Sequence, residues 1–290
     1  MADSAFVAKK NWTHRERKLA ERARSDVHGK LPDGRKRHCG AWTMRGVRPG
    51  KDSKYCRADC RCWNCRRCGP RRADFYRSRI LQAVTRHRLT RLLTLTLDPK
   101  KIMSESEAEI FYRHFELGKD QQVPCTCATC VEIQIRSISC IRQCWAKLRV
   151  YFGRKHNVSP KFIAVLEFQK NTGLAHLHIV IDRYVPWRWA QNAWCAVGGG
   201  EHVHIKHIDA HRAAAYLSKY LSKELFLSAP EGTRRVTTSR SIRLNEKEPS
   251  EYQWELIRAN IERLFEMFKR RAETPLRDSE GELVTFVVRE

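Results

Sequence analysis

Residues 161–182, KFIAVLEFQKNTGLAHLHIVID, read as two strands and a turn. Phe162 to Leu166 and Leu177 to Ile181 are rich in apolar and β-branched residues, and Asn171-Thr172-Gly173 punctuates them. A hairpin folded about the middle of that turn pairs residues whose numbers sum to 343, which sets Glu167 opposite His176. His178 stands two residues further on, so both imidazoles leave the same face of their strand. Directly opposed residues have Cβ atoms roughly 5 Å apart. One carboxylate and two imidazoles thus converge, a donor set that suits a divalent cation with coordination positions left open.

Working outward, residues 213–224, AAAYLSKYLSKE, have a different period. Ala213, Ala214, Ala215, Leu217 and Leu221 are good helix formers. On a helix, Tyr216 and Tyr220 share a face, with Lys219 and Lys223 beside them. A phenol has a pKa of about 10 and is a poor nucleophile at neutral pH. The lysines would lower that pKa or neutralise developing charge. Paired tyrosines on a basic helix, together with a metal-binding hairpin, point to phosphoryl transfer from DNA to tyrosine.

A third segment, Leu92-Leu93-Thr94-Leu95-Thr96-Leu97-Asp98-Pro99, reads as a strand over 91–97 stopped by Asp98-Pro99. Thr94 and Thr96 share one face, and Leu93, Leu95 and Leu97 the other. With this apolar-Thr strand, His176-Leu177-His178 and Tyr216 with Tyr220 in that order, the chain resembles the HUH endonucleases, named for a His-hydrophobic-His motif. The paired tyrosines resemble the two-tyrosine branch, the rolling-circle replication initiators of single-stranded-DNA phages. The resemblance covers roughly residues 88–226, under half the chain. It implies a five-stranded palm sheet with the tyrosine helix alongside. It also implies a Mg²⁺ or Mn²⁺ ion on Glu167, His176 and His178, a 5′-phosphotyrosyl link and a free 3′-hydroxyl that primes synthesis. The second tyrosine would then cut the displaced strand and rejoin it as a circle. Single-stranded origin DNA is the implied substrate. No G-x-x-x-x-G-K run occurs, so a host helicase and polymerase are expected partners. A second His-hydrophobic-His, His202-Val203-His204, ranks lower, because Ala193 stands where a carboxylate would be needed.

Composition supports a polyanionic partner. The net charge is +24 over 290 residues. Residues 1–100 hold 27 Lys and Arg against 9 Asp and Glu, which favours nucleic acid. An anionic membrane is the rival, but there is no lipidation signal, secretory signal or long apolar run. A cytosolic protein is expected, in the host cytoplasm if phage-encoded. In that setting, 12 cysteines at dense spacing imply metal sites rather than disulfides.

The densest run is Cys56-x3-Cys60-x-Cys62-x2-Cys65-x2-Cys68. Five thiols exceed the need of one tetrahedral zinc, so Cys60 or Cys62 is spare, and Cys39 could also reach in. Arg57, Arg61, Arg66, Arg67, Arg71 and Arg72 surround the run and are expected to touch phosphate. A second group, Cys125, Cys127 and Cys130, suggests another zinc whose fourth ligand could be Cys140, Cys144 or His114. Cys140 and Cys144 on a helix over 131–153 fit core positions equally well.

The expected division is a basic tail over 1–37 (a short helix over Asn11–Ser25, or solvated chain), a zinc module over 38–70 and an endonuclease domain over 71–226. That domain carries a cysteine-containing insertion at 100–130. A helical extension over 227–290 follows. Within it Ser250–Arg271 reads as an amphipathic helix, and Leu283–Val288 as an edge strand. Residues 71–87 read as a helix with Phe75, Ile80, Leu81 and Val84 as its apolar stripe. Trp187, Trp189 and Trp194 either stack bases or fill a core. The fold class expected is α+β, a mainly antiparallel sheet with helices on one face. A transposase of the same chemistry or a plasmid initiator would share these motifs. A noncatalytic zinc-dependent DNA-binding protein is the rival from another class.

Overall fold

A computed structural model describes residues 39–48, 52–63, 65, 67–120, 125, 127–169, 172–219, 221, 230, 233–244 and 250–289. The tail over 1–37, His38, Arg66, Tyr220 and Lys223 lie outside the described residues. The chain forms two compact units. Of the described residues, those from 69 to 244 build one, and those up to 68 together with those from 250 onward build the other. Each contains a five-stranded antiparallel sheet.

The sheet of the first unit has the order β6-β3-β5-β4-β7. Its strands are β3 (Arg91–Leu95), β4 (Phe162–Phe168), β5 (Ala175–Ile181), β6 (Val203–His207) and β7 (Val236–Thr238). Strands β4 and β5 pair in the register that the turn-centred count predicts, Glu167 with His176 and Phe162 with Ile181. Both strands are buried along their whole length. That requires cover on both faces of the sheet, which explains their near-continuous apolar run.

One face is covered by helices. Leu93, Leu95, Ala164, Leu166, Leu177 and Ile179 join a core with Phe111 of α2 (Glu105–Asp120), Ile138, Ile141 and Trp145 of α3 (Ala128–His156), and Trp194 of α4 (Trp187–Ala196). Helix α3 buries residues at spacings of three and four, as its apolar pattern requires. It ends at Asn157, whose φ of 54° is a left-handed conformation that Asn tolerates. The other face carries Leu92, Ile163, Val165 and Val180, all buried, and helix α5 (Ala210–Lys219) packs on β5. The one-sided arrangement is therefore corrected. Helices flank this sheet on both faces because neither face is polar enough to meet water.

Helix α1 (Cys68–Arg86) buries Ile80 and Val84, while Phe75 and Leu81 are 44% and 39% exposed. The apolar stripe is narrower than its sequence pattern. Trp194 is fully buried, and its Nε1 donates to the Thr96 carbonyl at 2.7 Å, so this tryptophan belongs to the core. Trp189 packs against the same core, and Trp187 is half exposed with its Nε1 donating to the Val203 carbonyl.

The second unit has the order β8-β1-β2-β10-β9. Strands β1 (Trp42–Val47) and β2 (Ser53–Ala58) come from one end of the chain. Strands β8 (Gln253–Ile257), β9 (Ala272–Arg277) and β10 (Leu283–Val288) come from the other. Ser250–Arg271 is not one helix. Its first part alternates with period two and pairs with β1, and helix α6 (Ile261–Phe268) starts only after Asn260, whose side chain caps it. Nor is Leu283–Val288 an edge strand, because it lies between β2 and β9. Tyr55, Ile261, Leu264, Leu283, Phe286 and Val288 form the core of this unit, with the Tyr55 and Phe286 rings stacked at 4.8 Å. The cysteine module therefore does not rely on metal alone for a core. Among the described residues no helix is long and apolar enough to cross a membrane.

Gly199 lies against the Trp194 ring, where an added Cβ would approach Cε2 to 2.2 Å. Gly199→Ala should cost about 1–3 kcal/mol of stability in the first unit by overpacking. Urea unfolding followed by tryptophan fluorescence would show this as a lower midpoint.

Candidate active site and metal centres

Strand parity places Glu167, His176, His178, Thr94 and His204 on one face, opposite the leucine-rich core. Glu167 Oε2 lies 2.8 Å from His176 Nε2 and 2.6 Å from His178 Nε2. All three residues are buried, with exposures of 6%, 8% and 3% respectively. Burial alone would raise the Glu167 carboxyl, but hydrogen bonds from His176 and His178 outweigh it and hold the group below its ordinary value. For His178 burial dominates and lowers its pKa, so the ring is neutral near pH 7, the form that coordinates metals.

The donor atoms of the three residues lie within 4.8 Å of one another. Six-coordinate Mg²⁺ with bonds of about 2.1 Å needs adjacent donors about 3 Å apart, so these residues fit as one face of such an ion. Thr94 supplies a second layer. Its Oγ1 sits 3.1 Å from His178 Nδ1. A hydroxyl can donate to that nitrogen or accept from it, so it suits either tautomer of the ring. His176 Nδ1 is buried and has no partner among the described residues, which leaves the His178 ring the better fixed of the two.

Helix α5 presents Tyr216 to this group. The Tyr216 ring meets the His178 ring edge-on, with centroids 5.5 Å apart. Tyr216 is half-buried and Lys219 is exposed. His202 and His204 are exposed on or beside β6 and join no metal-ligand group among the described residues.

The second unit brings together Cys39, Cys60, Cys65 and Cys68. Their Sγ atoms are 3.4 Å apart for Cys39 and Cys68, 3.6 Å for Cys39 and Cys65, and 3.7 Å for Cys60 and Cys68. Four thiolates at about 2.3 Å around a tetrahedral zinc would be spaced by about 3.8 Å. The group can therefore hold such an ion. Hydrogen bonding from Cys60 pulls Cys39 down to about 7, toward the ligating thiolate. Two cysteines of the expected set stand apart. Cys56 faces β10, its Sγ 3.3 Å from Thr285 Oγ1, because β-strand alternation turns it away from the cluster. Cys62 donates to the Cys60 carbonyl. Cys39, 17 residues before Cys56, takes a place in the group, and only the folded chain reveals that it does.

A third group joins Cys125, Cys127 and Cys130 to His114. Cys140 and Cys144 stand 4.0 Å from each other in or against the main core, outside that group.

Two arginines expected at a phosphate surface are buried instead. The Arg57 side chain is 2% exposed and pairs with Asp59, Asp278 and Glu282. Arg67, 4% exposed, pairs with the same Glu282. Carboxylates already occupy these guanidinium donors. Arg61 is exposed, and Arg71 and Arg72 are half-buried at the start of α1.

Replacing Arg57 with methionine should destabilise the second unit by about 3–5 kcal/mol, since it strands buried carboxylates. Thermal unfolding would register this, while the salt dependence of DNA binding should stay unchanged. At the cysteine cluster, Cys39→Ser should release zinc and Cys62→Ser should retain it, as counted by metal analysis.

The family model for replication-associated proteins of the ORF2 type matches residues 136–225. That stretch holds most of α3, the β4–β5 hairpin, β6 and α5, and excludes the cysteine groups at 39–68 and 125–130. No curated protein and no solved structure matches the chain. The match supports a replication initiator, a role whose partner is DNA and with which nuclease activity is consistent.

Proposed function

We propose that this chain is a metal-dependent endonuclease and strand transferase that initiates rolling-circle replication on single-stranded origin DNA. One observation carries the reading. Tyr216 is held against His178, which shares Glu167 with His176 on a buried sheet face. A hydroxyl nucleophile thus adjoins a donor set built for a divalent cation. The family match over the same residues favours DNA replication as its setting.

Glu167, His176 and His178 would hold Mg²⁺ or Mn²⁺, which supplies Lewis-acid polarisation of a phosphate oxygen when bound. The remaining steps belong to the chain. The Tyr216 phenol attacks the scissile phosphorus, the new bond runs from its oxygen to phosphorus, and the bond to the 3′-oxygen breaks. The phenolic proton passes to solvent, and the 3′-oxygen leaves as a hydroxyl. Lys219 offsets charge at the attacking oxygen. Thr94 keeps His178 aimed at Glu167. Tyr220 and Lys223, one helical turn further, are the second nucleophile and its cation by sequence spacing. The Cys39 group serves as a structural zinc site, and Arg61, Arg71 and Arg72 serve as phosphate contacts. Helicase and polymerase activities come from the host.

Incubation with stem-loop single-stranded DNA and Mn²⁺ should yield a covalent protein–DNA adduct on denaturing gels. Tyr216→Phe should lower its yield, and together with Tyr220→Phe should abolish it. His176→Ala should remove nicking while DNA affinity changes little, because phosphate contacts elsewhere dominate binding. Thr94→Val should slow nicking by about 10–100-fold through the lost support of His178. DNA binding without any adduct at any divalent ion would leave a noncatalytic DNA-binding protein in its place.

A further inference from the structure

Helix α2 carries three side chains on one face, Phe111, His114 and Phe115, at the helical spacings of three and four. They connect two features that are separate in sequence. His114 Nδ1 lies 3.5 Å from Cys125 Sγ, 3.4 Å from Cys127 Sγ and 3.5 Å from Cys130 Sγ. A tetrahedral zinc with bonds of about 2.05 Å to nitrogen and 2.3 Å to sulfur would set each of these separations at about 3.5 Å. The three near-equal distances are those of one imidazole and three thiolates around a common centre. The sulfurs are also supported as anions. Cys127 N donates to Cys125 Sγ at 3.4 Å, and Cys130 N donates to Cys127 Sγ at 3.5 Å at the start of α3. Backbone donors and a helix N-terminus favour thiolates there.

The two phenylalanines reach the other way. Phe111 and Phe115 are stacked at 6.1 Å, and Phe111 is 2% exposed. Gly173, in the turn between β4 and β5, packs onto both rings. With φ of 64°, it would place an added Cβ 2.7 Å from Phe115 and 3.0 Å from Phe111. The turn is closed by Gln169 N donating to Leu174 O at 2.8 Å and Gly173 N donating to Gln169 O at 2.7 Å. Gln169 lies two residues beyond Glu167, and Leu174 two before His176. Arg136 of α3 donates to Glu107 of α2, a second tie between the helices.

We infer that His114, Cys125, Cys127 and Cys130 hold a structural zinc ion. By clasping α2 to the start of α3, the ion braces Phe111 and Phe115 against the turn that sets Glu167 opposite His176. The site sits outside the family match and beside, not within, the nucleophile's surroundings. It stands on its own geometry and does not depend on the nuclease reading.

The test uses the whole chain and counts zinc by elemental mass spectrometry. His114→Ala should lose one equivalent relative to the parent. Amide hydrogen exchange at Gln169, Leu174 and along β5 should speed up at least tenfold in that variant, with β1 and β2 unchanged. His114→Cys preserves four ligands and should restore both zinc and protection. Its Co²⁺ derivative should absorb as an all-thiolate site, where the parent site absorbs as a mixed one. Should His114→Ala fail to fold, a folded and zinc-replete His114→Cys still assigns the site. Full zinc retention in His114→Ala overturns the ligand set. Loss of the ion with hairpin exchange unchanged overturns the brace. Neither readout involves DNA cleavage, so the absence of nicking would not imitate either failure.

Discussion

A carboxylate buried inside an apolar sheet must find donors or lose its charge. Glu167 finds two imidazoles on the neighbouring strand, and much of the first unit follows from keeping them there. The pairing needs β4 and β5 in one register, since a slip of one residue would send Glu167 to the leucine face. It needs both faces covered so that water does not loosen the contact. Helix α5 and the α2–α3–α4 layer meet that need from opposite sides, and α5 brings Tyr216 to His178 as part of the same cover. The nucleophile's position and the burial of the carboxylate are thus one packing problem.

The legible parts of this molecule are local ones. The hairpin register could be counted because its turn is short and its strands have period two. The helical face of α5 and the first-motif strand were readable for the same reason. The two-sided cover of the sheet was also implicit, since β4 and β5 lack the polar alternation of a half-exposed strand. What could not be read is what depends on distant pairing. Strand β8 meets β1 across some two hundred residues, and no local pattern announces that partner. Tyr252, Trp254 and Leu256 alternate as a strand does, yet Leu256, Ile261, Leu264 and Phe268 also approximate a helical stripe, and the wrong period won.

Charge and sulfur were misread for a related reason. Arg57 and Arg67 sit in a basic run that resembles a phosphate surface, but their carboxylates, Asp278 and Glu282, lie more than two hundred residues away. Cysteine spacing marked a dense cluster without ranking its members. Cys56 has the right spacing and belongs to a strand, whereas Cys39 has the wrong spacing and enters through the fold. His114 is eleven residues from Cys125, too far for a knuckle pattern, and is delivered by its helix.

The interleaving of the two units also orders their assembly on the ribosome. Residues 69–244 emerge as one uninterrupted block and can fold while the strands before them wait for partners. The β1–β2 hairpin carries Arg57 out of the ribosome long before Asp278 and Glu282 exist to neutralise it. The sulfur cluster over 39–68 is complete early, with no residue owed by the later segment. Metal capture is therefore available to hold the nascent hairpin in shape during that interval. The second unit would then close late, by docking β8, α6, β9 and β10 onto a template already set.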